Sequence, residues 1–131
     1  MDNKLDLWFG LCDRDLKGAH GLLKTGNYVL AGYQCQQVVE KALKACIAHA
    51  TADDPPRIHT LSKLAALTGE LKHEFSDEQT DLIKRLEPLY IEARYADYKS
   101  AILLRMTPEF CEQLVTRTEE LLSWIKKRLS E

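Results

Sequence analysis

Between Tyr90 and Lys99 the chain gathers three tyrosines, two acids and two bases within ten residues. Arg94 is the group in this run best suited to a phosphate, because its planar guanidinium matches phosphate oxygens with paired donors. The tyrosines beside it suit stacking on a base or donating a hydroxyl to a phosphate oxygen. Tyr90 and Arg94 are four apart and share a face for as long as a helix lasts. The same residues also admit a structural reading. Arg94 then pairs with Asp97 or another acid, and the tyrosines pack with their hydroxyls at a rim.

Two further groups have the right chemistry to join Arg94. His59 follows Pro55-Pro56 and stands just ahead of an apolar helix. It suits proton transfer or phosphate contact, and it also suits capping or orienting the helix start. Gln36, Gln37, Glu40, Lys41 and Lys44 form a polar stripe on an otherwise apolar segment. Glu40 and Lys44 are spaced as an ion pair along a helix, and Gln37 and Lys41 are spaced for a hydrogen bond. If buried, the stripe must be internally satisfied and would face Arg94 to line a site. If exposed, it is ordinary solvent surface.

Other chemistries find less support. His20, His49 and His73 are isolated in sequence, and no H-E-x-x-H spacing occurs, so no metal site is expected. No glycine-rich phosphate loop, dinucleotide fingerprint or G-x-S-x-G elbow is present, so no cofactor is expected. Cys12, Cys35, Cys46 and Cys111 form no C-x-x-C pair and lie on apolar stripes. They read as buried thiols, not as nucleophiles or disulfides.

Helices must position these groups. Leu5, Trp8, Leu11, Cys12, Leu16, Ala19, Leu22 and Leu23 trace one stripe, predicting a first helix of about 20 residues. Gly18 and Gly21 weaken its last turns, and Gly26-Asn27 ends it. A second helix runs from Tyr28 to about Ala50, with Ala31, Cys35, Val38, Val39, Ala42, Cys46 and Ile47 on its buried side. Thr51 to Pro56 is a loop. A short third helix starts near His59 or Thr60 and carries Leu61, Leu64, Ala65 and Leu67. Ser76 and Gln79 form a capping box for a fourth helix bearing Leu82, Ile83, Leu86, Leu89, Tyr90 and Ala93, with a kink expected at Pro88. The stretch from Tyr95 to Met106 is ambiguous. Thr107-Pro108-Glu109 opens the last helix, which carries Phe110, Leu114, Leu121, Ile125 and Leu129.

The expected fold is all-α: an up-and-down antiparallel bundle with four substantial helices and a shorter one. Its 131 residues and net charge of -2 fit a single domain over residues 1–131. The near balance of 18 basic and 20 acidic residues argues against a whole basic surface for coating nucleic acid, so any phosphate attraction is local. The acidic N-terminal stretch does not read as a signal peptide, and nothing approaches the roughly 18 apolar residues of a membrane span. A cytoplasmic protein without membrane contact is expected.

Four stretches, taken in order, resemble the HEPN family of small helical domains. They are Gly26-Asn27-Tyr28-Val29-Leu30-Ala31, the run from Gln36 to Ala45, His59-Thr60-Leu61-x-x-Leu64, and Glu92-Ala93-Arg94-Tyr95-Ala96-Asp97-Tyr98. The resemblance covers about residues 5 to 129. It is strongest to compact, stand-alone members often encoded beside a minimal nucleotidyltransferase. It implies a HEPN-like bundle, a homodimer, and a nucleotidyltransferase partner in a toxin–antitoxin-like system. Many members are ribonucleases or toxins. Their typical motif sets an Arg and a polar residue several positions before a His, and two such motifs meet across the dimer as a metal-independent RNA-cleaving centre. Here Arg94 takes the arginine position, but Tyr95 follows it. Tyr98 and Lys99 stand where the His is expected. The leading expectation is therefore a non-catalytic or weakly active binding module for nucleotide or RNA, built on Arg94, Tyr98, His59, Gln36, Glu40 and Lys44. The alternative is a metal-independent endoribonuclease with an atypical Arg94-centred site, in which Tyr98 or His59 handles the proton.

Overall fold

The computed structural model describes residues 3–95 and 101–130. In chain order the helices are α1 (Asn3–Lys24), α2 (Tyr28–Thr51), α3 (Leu61–Ala65), α4 (Asp77–Leu86), α5 (Leu89–Glu92), α6 (Ile102–Arg105) and α7 (Pro108–Leu129), with a 3-10 turn at Gly69–His73 between α3 and α4. No strand occurs among the described residues. The expected helical bundle is the observed one.

α2 is the central element. Thirteen of its residues are buried, from Ala31 through Ala48, and it touches α1, α3, α4, α5, α7 and the 3-10 turn. Leu43, Leu61, Leu64, Leu86, Leu121 and Ile125 are among the fully buried side chains where these helices meet. None of the described helices is long and apolar enough to cross a membrane.

The local signals explain most boundaries. Gly26, at φ +77°, closes α1. Its N–H donates to the Leu23 carbonyl and the Asn27 N–H to the Leu22 carbonyl, the paired bonds of a Schellman motif. This turn sends α2 back along α1. Gly18 and Gly21 do not end the helix, which runs to Lys24. Ser76 accepts from the Gln79 N–H at 3.1 Å, and the Gln79 side chain accepts from the Ser76 N–H at 2.9 Å, completing the capping box of α4. Thr107 accepts from the Phe110 N–H at 3.2 Å, with Pro108 in the first turn of α7.

At Pro88 the outcome is a break rather than a bend in one continuous helix. Proline has no N–H to donate, so α4 stops at Leu86 and α5 begins at Leu89. This break has a counterpart on α2. A Cβ on Gly32 would come within 2.3 Å of Met106 Cε and 3.1 Å of Leu89 Cδ1. The missing side chain lets α5 and Met106, at the end of α6, press against the central helix.

All four cysteines are buried and unbridged. Burial among apolar groups pushes Cys12, Cys35 and Cys46 each up to about 12, and Cys111 up to about 11. At neutral pH they are inert thiols.

Candidate functional site

The polar stripe of α2 begins one turn earlier than the sequence indicates, at Tyr33. Tyr33, Gln37, Glu40 and Lys44 recur at helical spacing on one side of α2, facing α5 and the chain ahead of α3. Glu40 is buried there at 4% exposure, a position a carboxylate tolerates only with partners. It has three. Gln36 Nε2 donates to Oε1 at 3.2 Å, Lys44 Nζ to Oε2 at 3.1 Å, and His59 Nδ1 lies 3.1 and 3.0 Å from the two oxygens. Gln36 also donates to the His59 carbonyl at 3.3 Å, and Gln37 donates to Gln36 Oε1 at 2.7 Å. The His59 backbone and ring are therefore both tied to α2.

Lys41 departs from its expected role. Its ammonium pairs with Asp15 of α1 and not with Gln37, so it braces two helices away from the site.

His59 does not cap α3. Thr60 holds the cap position, with no side-chain cap bond. The imidazole instead lies flat on the Tyr90 ring, with centroids 4.3 Å apart and planes 13° from parallel. Since the carboxylate accepts from Nδ1, that nitrogen carries a proton and the neutral ring's Nε2 is the acceptor. Nε2 has no hydrogen-bond partner among the described residues, and the side chain is about half exposed, at 46%.

Tyr90 also carries Arg94. The guanidinium carbon sits 4.3 Å from the Tyr90 centroid, and Arg94 Nη2 donates to the Tyr33 hydroxyl at 3.4 Å. Tyr33 and Tyr90 are themselves stacked, 6.3 Å between centroids and 28° between planes. The Tyr33 hydroxyl, followed by the other tyrosines around it, holds the Arg94 pKa above its already high ordinary value. Arg94 is exposed and forms no salt bridge among the described residues. Because His59 and Arg94 both touch one ring, they lie at most twice that 4.3 Å contact apart.

The structure thus brings together Gln36, Glu40, Lys44, His59 and Arg94. The stripe meets Arg94 directly at Tyr33, and Glu40 reaches it through His59 and Tyr90. Tyr98, together with Asp97 and Lys99, lies outside the described residues. Sequence reasoning misses Tyr33 and the bridging role of Tyr90. Tyr33 stands three residues before Gln36 and seven before Glu40, so its helical spacing is the available signal. Among the described residues, no group of three or more His, Cys, Asp or Glu side chains is arranged to hold a metal ion.

Fold and site together define a small α-helical domain with an exposed histidine–tyrosine–arginine cluster anchored on its central helix. The chain belongs to the HEPN domain family, whose model matches residues 5–129. Its architecture is shared with TT1696 from Thermus thermophilus, with a TM-score of 0.80 and 24% identity over 96% of this chain and 98% of that one. It is also similar to ST0689, an archaeal HEPN homologue, with a TM-score of 0.70 and 23% identity over 98% and 99%. At these identities the likeness speaks for the fold. No curated protein sequence matches the chain.

Proposed function

We propose that the His59–Tyr90–Arg94 cluster is the site of a metal-independent endoribonuclease. The observation that carries this reading is the buried Glu40 carboxylate on His59 Nδ1. It fixes the imidazole so that Nε2 can take a proton, with a permanent cation on the same tyrosine. In the proposed step, Nε2 removes the proton of an RNA 2′-hydroxyl. The 2′-oxygen attacks the adjacent phosphorus, and the 5′-oxygen leaves, taking a proton from solvent. The products are a 2′,3′-cyclic phosphate and a free 5′-hydroxyl. Arg94 offsets the negative charge that builds on the phosphoryl oxygens.

Tyr33 and the exposed Tyr95 offer ring faces to unpaired bases, which favours single-stranded RNA. A homodimer is part of the proposal. Ile91, Tyr95 and Leu104 are 62%, 77% and 84% exposed in the segments around Arg94, and a second copy covering them would place two Arg94 groups near each other. Sedimentation of the purified chain tests this; a monomer at micromolar concentration contradicts it. Partnership with a minimal nucleotidyltransferase rests on the resemblance alone. Native pull-down with mass spectrometry tests it, and reproducible absence of such a partner counts against it.

The direct test is cleavage of a single-stranded RNA oligonucleotide in the presence of EDTA. The wild-type chain should release a 2′,3′-cyclic phosphate end, and Arg94→Ala should not. Arg94-dependent binding without cleavage would instead make the domain a binding module for RNA. Cleavage unchanged by Arg94→Ala would sink the mechanism.

A further inference from the structure

A second concave site lies between α3, the 3-10 turn and α4, and it shares no residue with the His59–Arg94 cluster. It is an open hollow of about 350 Å³, within the range of small-ligand clefts. Its floor is apolar: Ile83 is buried, and Ala65 and Phe75 are half-buried against the core. Three basic side chains, Lys72, His73 and Lys84, stand on its rim, and no acidic residue lines it.

The distribution of nearby charge is the telling feature. Of the acids close to the rim in sequence, Glu70, Asp77 and Glu78 are exposed and lie outside the lining, and three others are engaged. Glu74 pairs with Arg128, Asp81 accepts from Arg85 at 2.7 Å, and Glu87 accepts from the Ser62 N–H at 2.7 Å. Lys72, His73 and Lys84 form no salt bridge among the described residues. The lining itself therefore carries two ammonium groups and no carboxylate over an apolar floor. The hydroxyls of Ser62 and Thr80 add two donors at the same opening.

From this juxtaposition we infer that the hollow binds a small amphipathic carboxylate, its apolar body on Ile83, Ala65 and Phe75 and its carboxylate between Lys72 and Lys84. Apolar burial supplies the attraction for the body. The paired lysines select an anionic head over a neutral one. A double-stranded or highly charged polyanion fits less well, because the floor offers its charges nothing. The site requires no RNA chemistry, so it stands or falls separately from the nuclease reading.

Decanoate, kept below its micelle concentration, is the probe, with decanol as the neutral control. Titration followed by methyl NMR should show saturable one-to-one binding, with shifts centred on Ile83 and Ala65. Decanol should bind at least tenfold more weakly. Lys72→Glu combined with Lys84→Glu should weaken decanoate by at least tenfold while leaving the circular dichroism spectrum unchanged. The milder Lys72→Gln/Lys84→Gln pair should show a smaller loss in the same direction. Three results would each overturn the inference: no saturable binding, shifts centred elsewhere, or equal affinity for decanoate and decanol.

Discussion

α2 carries two kinds of buried reactive group, and their fates differ. Cys35 and Cys46 are fully buried with no charged partner, and burial pushes each thiol up to about 12. Glu40, on the polar side of the same helix, is buried among donors from Gln36, Lys44 and His59. A thiol in an apolar setting is silenced by burial. A carboxylate with partners transmits its position outward, because one of them is a half-exposed imidazole. Burial alone therefore says little about chemistry; what matters is whether a buried group is bonded to something that reaches solvent.

Breaking the polar side should have the largest effect. Arg94→Ala should lower RNA cleavage by about 100-fold or more, the scale of removing one donor from a developing oxyanion. Its thermal midpoint should stay at the wild-type value, since Arg94 is exposed. Glu40→Ala strikes the same side from within. It strands the Lys44 ammonium, whose side chain is only 11% exposed, and should cost about 3 kcal/mol in urea unfolding. Lysine and histidine titration by NMR would then show whether His59 has lost its anchor. A Glu40→Ala protein as stable as wild type would mean the network is not closed.

Gly32→Ala tests how the two sides are held together. The new methyl group must displace Met106 and Leu89, and overpacking of this kind costs about 1–3 kcal/mol. The expected signature is a lower denaturant midpoint accompanied by a change at the Tyr90 end of the site. A neutral result would show that Met106 moves freely.

The thiol side yields the gentlest predictions. Ellman's reagent should label none of the cysteines in the folded protein within minutes and all of them in guanidinium. Stability should also fall at high pH. The folded thiols Cys12, Cys35 and Cys46 are raised to about 12 from an unfolded value of 9.0. Between those values the folded state holds protons that the unfolded state has released, so stability is intact below pH 9 and declines toward pH 12. The slope approaches about 1.4 kcal/mol per pH unit for each such thiol. A flat profile from pH 8 to 11 would contradict this.

The sequence is informative where the cause of structure is local. Gly26, Ser76 with Gln79, and Thr107-Pro108 each mark a boundary through bonds spanning a few residues. Apolar periodicity likewise identifies α1, α2 and α7. The site is legible only in pieces. Glu40, His59 and Arg94 stand out by type, yet His59 meets Glu40 across 19 positions and Arg94 meets Tyr33 across 61. Those meetings depend on how α5 and the pre-α3 chain pack on α2, which no short pattern encodes. Tyr33 escapes notice because a tyrosine on an apolar helix reads as core. Pro88 reads as a kink because the pattern of buried residues continues across it, whereas the backbone ladder does not.

In the proposed mechanism, Glu40 makes His59 a base beside Arg94. Single-turnover cleavage of a single-stranded RNA oligonucleotide in EDTA, followed across pH for wild type, His59→Gln and Glu40→Gln, tests it most directly. His59→Gln should abolish cleavage. Glu40→Gln should lower the rate while the protein remains folded. Wild-type rates in both variants would contradict the mechanism.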